Sequence, residues 1–139
     1  MQEANETKKM TKQEILEIFK DEYKSVLRRY ERNVEKYAVK MNEDYEYFFR
    51  WYSDEMYKAQ VNLKAVRELR PATSWDDLDK IKVWLGNHIE NIERNLIEGS
   101  QCPTSSSLVA NVAETLRKAA QQELRGDIQR ILWSITCNE

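Results

Sequence analysis

One pattern dominates the first half of the chain. Apolar residues recur at Phe19, Tyr23, Val26, Tyr30, Val34, Tyr37, Met41, Tyr45, Phe48, Tyr52, Met56, Ala59 and Leu63, always three or four residues apart. Such spacing marks a helix with one buried face. The order of steps itself repeats, so that Phe19, Tyr30, Met41, Tyr52 and Leu63 occupy equivalent positions 11 residues apart. An 11-residue repeat corresponds to about 3.67 residues per turn, a nearly straight rod or a slight right-handed supercoil. Thr11 and Glu14 supply a capping box at its start, each side chain satisfying a backbone amide of the other. No glycine or proline follows until Pro71.

The repeat crosses Asn42-Glu43-Asp44 without losing phase, which predicts one continuous helix over about 11–69. The alternative is a break near Asn42, because Asn followed by two acids is also a plausible helix start.

The rest of the chain reads as two shorter blocks. Ser74 to Asp77 offers a side-chain cap with acids placed to favour the helix dipole. Leu78, Ile81, Leu85, Ile89, Ile92 and Leu96 then form a stripe that Gly99 ends. The last block starts near Ser105 or Ser107 and carries Val109, Val112, Ala113, Leu116, Ala120 and Leu124 on one face. After Arg125-Gly126-Asp127 the stripe shifts to Ile128, Ile131 and Ile135, which predicts a bend or short break. With three glycines, two prolines and no alternating β-branched runs, the fold class is all-α. The expected architecture is an elongated helical bundle: a very long N-terminal helix, with blocks at about 75–98 and 105–136 packed back on it. A single domain over 11–139 follows a disordered tail at 1–10. With the break, four or five segments would make a monomeric bundle instead.

Charge narrows the function. Lys and Arg number 22 against 24 Asp and Glu, for a net charge of −2. The first 70 residues carry 15 basic and 14 acidic side chains and the remainder 7 and 10, so neither half has the basic excess typical of nucleic-acid binders. No run approaches the roughly 20 apolar residues that span a bilayer, and the polar N-terminus reads as neither signal peptide nor anchor. These features predict a cytoplasmic protein without a membrane partner. Cys102 and Cys137 are expected as free thiols in a reducing compartment.

Chemistry-bearing patterns are sparse. His88 is the only histidine, too few ligands for a metal site. Neither a nucleophile with an orienting base nor a glycine-rich phosphate loop is visible. No catalytic residue, metal or cofactor is therefore expected. Trp84, His88, Asn91 and Asn95 share one helical stripe, suited to a hydrogen-bonded boundary between core and solvent or to a small polar pocket.

Two surfaces remain as candidates. At 100° per residue, Tyr47 and Trp51 fall beside the core stripe, on an edge shared with Ala65 and Leu69. Aromatic residues so placed either pack against a second neighbour or form an interface hot spot. An unbroken helix would also leave apolar stripe uncovered, which predicts a homodimer. Opposite the stripe, Arg28, Arg29, Arg32, Lys36 and Lys40 form a basic face able to follow phosphates. The expectation is a non-enzymatic protein–protein interaction module (adaptor, regulator or inhibitor) that homodimerises and binds an unidentified protein through Tyr47, Trp51, Ala65 and Leu69. A nucleic-acid-associated regulator using the basic face is the alternative.

Overall fold

The computed structural model describes residues 10–99 and 107–139. Four helices account for most of them: α1 (Lys12–Glu43), α2 (Tyr45–Glu68), α3 (Leu78–Gly99) and α4 (Leu108–Thr136), with a 3-10 turn at Arg70–Ser74 between α2 and α3. There is no strand among the described residues.

The N-terminal capping box forms as expected: Thr11 N–H donates to the Glu14 carboxylate at 3.0 Å and Glu14 N–H to the Thr11 hydroxyl at 3.1 Å. Most of the expected disordered tail, 1–10, lies outside the described residues. Met10, just ahead of the cap, packs against the core.

The expected single helix over 11–69 is two helices. The chain breaks at Asp44, whose backbone is extended at φ −157°, ψ 98°. Its N–H closes α1 by donating to the Lys40 carbonyl, and its carboxylate accepts from Tyr47 N–H at 3.1 Å to start α2. One residue thus ends one helix and caps the next. Folding back lets the two halves of the apolar stripe bury each other, whereas a continuous rod would leave both in water. Tyr37 of α1 meets Tyr52 of α2 with ring centroids 6.0 Å apart. Nearer the other end, the Tyr23 hydroxyl donates to the Val66 carbonyl at 2.8 Å, reaching a carbonyl in the last turn of α2, where backbone partners run out. These pairs make α1 and α2 an antiparallel hairpin.

The other helices complete an up-down-up-down bundle. Arg125 of α4 pairs with Glu93 of α3, and Lys82 of α3 with the C-terminal Glu139, so α3 and α4 are antiparallel. Lys58 of α2 lies in the field of Glu123, and Tyr30, held against Asn62, reaches Asp127; α2 and α4 therefore run parallel. The core collects near the N-terminus of α1: Ile15, Leu16, Phe19, Tyr23, Val26 and Tyr30 pack with Leu63, Val66 and Leu69 of α2, Ile81, Leu85 and Ile89 of α3, and Leu124, Ile128, Ile131 and Ile135 of α4.

Two local expectations change. Ser74 does not cap α3: it lies in the 3-10 turn, its hydroxyl donates to the Pro71 carbonyl, and the Asp77 carboxylate accepts Lys80 N–H at 3.2 Å instead. The last block has no break, since α4 continues through Gly126. Its stripe looked shifted because the buried face includes a carboxylate, Asp127, between Leu124 and Ile128. Ser107 is the N-cap of α4, accepting Ala110 N–H at 3.2 Å.

Two substitutions test these assignments by urea unfolding. Asp44→Ala removes the α2 cap and should cost about 1 kcal/mol without loss of helical circular dichroism. A Cβ at Gly126 would meet nothing within 4 Å, so Gly126→Ala should stabilise by about 0.5–1 kcal/mol through its better helix propensity.

Candidate functional site

The hairpin tip is built differently from the core end. Over the first turns of α2, Phe48 and Tyr52 point toward the bundle, Phe48 buried and Tyr52 half-buried. On one side of them Tyr45 stacks on Phe49 with centroids 6.2 Å apart; on the other lie Tyr47 and Trp51. All four of these flanking rings are more than half exposed, Trp51 at 60%. Spaced at 100° per residue, apolar side chains occupy about 200° of this part of α2, and α1 covers only the middle of that arc. Within the chain, then, the second neighbour that would bury Tyr47 and Trp51 is missing among the described residues.

The tip is apolar beyond α2. Val39 of α1 and Leu108, Val109 and Val112 of α4 are also exposed. The parallel course of α2 and α4, level at Asn62 and Asp127, sets Tyr47 and Val112 about 22 Å from that level in the same direction. Most of the large exposed apolar side chains thus gather at one end of the bundle. Charges of both signs stand among them: Lys36, Lys40 and Arg50 beside Glu43, Asp44, Glu46, Asp54, Glu55 and Glu114.

The four residues expected to form one partner edge separate in the structure. Tyr47 and Trp51, with Asp44, Glu46 and Arg50, line a hollow of about 230 Å³ at the tip. Ala65 and Leu69 lie further along α2 on the wall of a larger groove against α3 and α4. Leu69 is only 2% exposed and belongs to the core, so it is not available to a partner at the surface. Its helical position was right, but the chain's own helices already cover it.

The basic face is also divided. Arg29 turns inward and binds the Asp127 carboxylate, with Glu123 at 4.0 Å. Lys36 lies over the ring of Tyr37 and Lys40 over that of Tyr52, at 5.4 and 4.8 Å from the centroids. Arg28 and Arg32 remain at the surface and line shallow hollows with Lys24 and with Glu31, Glu35 and Arg67. One helical face in the sequence becomes several separate engagements in the fold.

Sequence reasoning missed the polar centre around Asp127. Its carboxylate, 5% exposed, binds Arg29, accepts the Tyr30 hydroxyl at 2.5 Å, and accepts from Arg130 at 3.2 Å. Asn62, buried in α2, approaches the same tyrosine oxygen with its amide nitrogen at 3.4 Å. The available signal was an Asp at a stripe position of α4. Burial, and then the Asp127 carboxylate, push the Tyr30 phenol well above its ordinary 10.0. Cys137 is an exposed free thiol; Cys102 lies outside the described residues. Among the described residues no three His, Cys, Asp or Glu side chains gather in a metal-binding group, and no helix is long and apolar enough to cross a membrane.

The raised Tyr30 phenol predicts an alkaline weakness. Above pH 10 the unfolded chain sheds this proton while the folded chain keeps it, so stability falls as pH rises from there. Urea midpoints measured between pH 9 and about 11 should decline, and Tyr30→Phe should flatten that decline while lowering stability at neutral pH. No family model, curated protein or solved structure matches the chain.

Proposed function

We propose that the protein is a non-enzymatic helical protein–protein interaction module (an adaptor, regulator or inhibitor) that acts as a homodimer joined through its hairpin tips. The observation that carries this reading is the concentration of exposed Tyr45, Tyr47, Phe49 and Trp51 at one end of an otherwise well-packed bundle. Tyr and Trp supply large contact area at low entropic cost and dominate interface energetics.

The length argument for a dimer disappears with the break at Asp44, but the tip provides another. A two-fold interface places the same patch on both sides, so its charge must not repel itself. Cations interspersed with anions let unlike charges meet across such an interface, and the start of α4 offers the aliphatic surface of Leu108, Val109 and Val112 to a partner's aromatic rows. Each α2 would lie against the other copy's α4. The nucleic-acid alternative is weakened because Arg29 is committed to Asp127 and acidic side chains stand among the remaining cations.

Light scattering on the full chain gives the test. The expected mass is twice 16.6 kDa and falls to one chain in a Tyr47→Ser, Trp51→Ser variant. That variant should retain the wild type's helical signal and a cooperative melting transition. A wild type that remains a single chain at all concentrations sinks the homodimer.

A further inference from the structure

A second feature, between α2, α3 and α4, has the chemistry of a ligand site. A groove of about 530 Å³ runs between α2 and α3, with α4 beneath it. That volume suits a small molecule. The apolar base is Ile92, Leu124 and Ile128, all buried; at the mouth the exposed Arg117 stands about 18 Å along the axis from Lys64, which has the exposed Glu68 one turn away. The stripe His88, Asn91, Asn95 forms the α3 wall.

Two groups of the lining, Asn62 and His88, present acceptors, beside the amides of Gln60, Asn91, Asn95 and Gln121, which can donate. The Asp127 carboxylate can only accept, so the Tyr30 hydroxyl at 2.5 Å must donate to it. The tyrosine oxygen is left to accept from the Asn62 amide nitrogen. This sequence of roles fixes the orientation of the Asn62 amide, a side chain that is 0% exposed and lines the groove. Its carbonyl oxygen meets no donor among the described residues, and a buried acceptor left without a hydrogen bond is destabilising. His88 adds a second acceptor. Its Nδ1 lies 2.9 Å from the Trp84 carbonyl, and a carbonyl cannot donate. Nδ1 therefore carries the hydrogen, and in the neutral ring Nε2 is an acceptor.

Acceptors inside, an apolar base and a cation at the mouth define the complement. We infer that this groove binds a small amphipathic anion: a flat apolar ring bearing an N–H donor that enters toward Asn62 and His88, with a carboxylate or phosphate facing Arg117. The ligand would supply the donor that the Asn62 carbonyl lacks once the side chains covering that oxygen move aside, while Tyr30 and Asp127 hold the amide in place.

The test uses three indole probes on the full-length protein, with binding followed by nitrogen-15 NMR. Indole-3-acetate should bind with a Kd below about 1 mM and shift the side-chain signals of His88, Asn91 and Asn95. Indoxyl phosphate, given in parallel, separates a carboxylate preference from a phosphate one, and either preference supports the site. 1-Methylindole-3-acetate cannot donate and should bind roughly tenfold more weakly, the value of one hydrogen bond to a buried group. Arg117→Gln, at an exposed position, should weaken the two anions about tenfold and leave 3-methylindole unaffected. Asn62→Leu, where it folds, should abolish the difference between methylated and unmethylated acids. Equal binding of those two acids to wild type, shifts confined to Tyr47 and Trp51, or absence of saturable binding by either anion would overturn the proposal.

Discussion

A carboxylate buried among aliphatic side chains sets the terms for the whole bundle. Asp127 lies on the core face of α4 between Leu124 and Ile128, where an unpaired charge would be too costly to keep. It is tolerated because Arg29 and Tyr30 of α1 and Arg130 of its own helix converge on it. Asn62 brings in α2 through Tyr30. Three helices thus meet at one level, and sliding any of them by a turn would strand a buried polar group. Aliphatic packing alone would accept several such offsets. The polar centre selects one, in the way single buried polar residues fix register in coiled coils.

That register explains how the hairpin at Asp44 can be so short. The apolar stripes of α1 and α2 must face each other with Tyr23 at Val66, Tyr30 at Asn62 and Tyr37 at Tyr52. Only one residue lies outside helical geometry between them. The 11-residue phase that suggested a continuous rod survives because each strand of the hairpin keeps the same stripe; the exception is Tyr45, which leaves the core side and becomes exposed. In sequence, Asp44 carries two meanings, a mediocre helix former on a polar face and a strong N-cap. Tertiary burial decides between them. A carboxylate accepting Tyr47 N–H contributes about 1 kcal/mol, while stacking Tyr37, Met41, Phe48 and Tyr52 out of water contributes several times more.

The fold class, the N-cap Thr11 of the first helix and Ser107 as one of two candidate starts for the last were legible, since periodicity and capping are local properties. The polar centre was not, because α4's pattern was parsed by hydrophobicity, and a buried Asp shows up there only as an interruption. The site was legible in part for the same reason. Angular arithmetic on α2 correctly sets Tyr47 and Trp51 beside the stripe, and the fold leaves them exposed. The same arithmetic cannot know that α3 and α4 cover Leu69, or that Arg29, while still lining a hollow with Arg28 and Arg32, engages Asp127 of α4. Helical position follows from sequence; occupancy of that position depends on helices far away along the chain.

Stability and recognition are consequently separated along the bundle axis. The end containing the α1 N-terminus brings four helices to a shared core, and the Asp127 centre locks their level. Among the described residues, α3 reaches toward the tip only as far as Gly99, while α1, α2 and α4 continue. By the antiparallel pairing of Arg125 with Glu93, Gly99 stands level with residue 119 of α4, so the first turns of α4 have no α3 beside them. A four-helix arrangement needs four apolar faces, and here one is withdrawn while the others keep their aromatic and aliphatic side chains. The exposed rings of Tyr47 and Trp51 follow from that shortfall. A helix from another molecule would restore the fourth face without disturbing the core end, and this is why an interaction module is the function the geometry supports best.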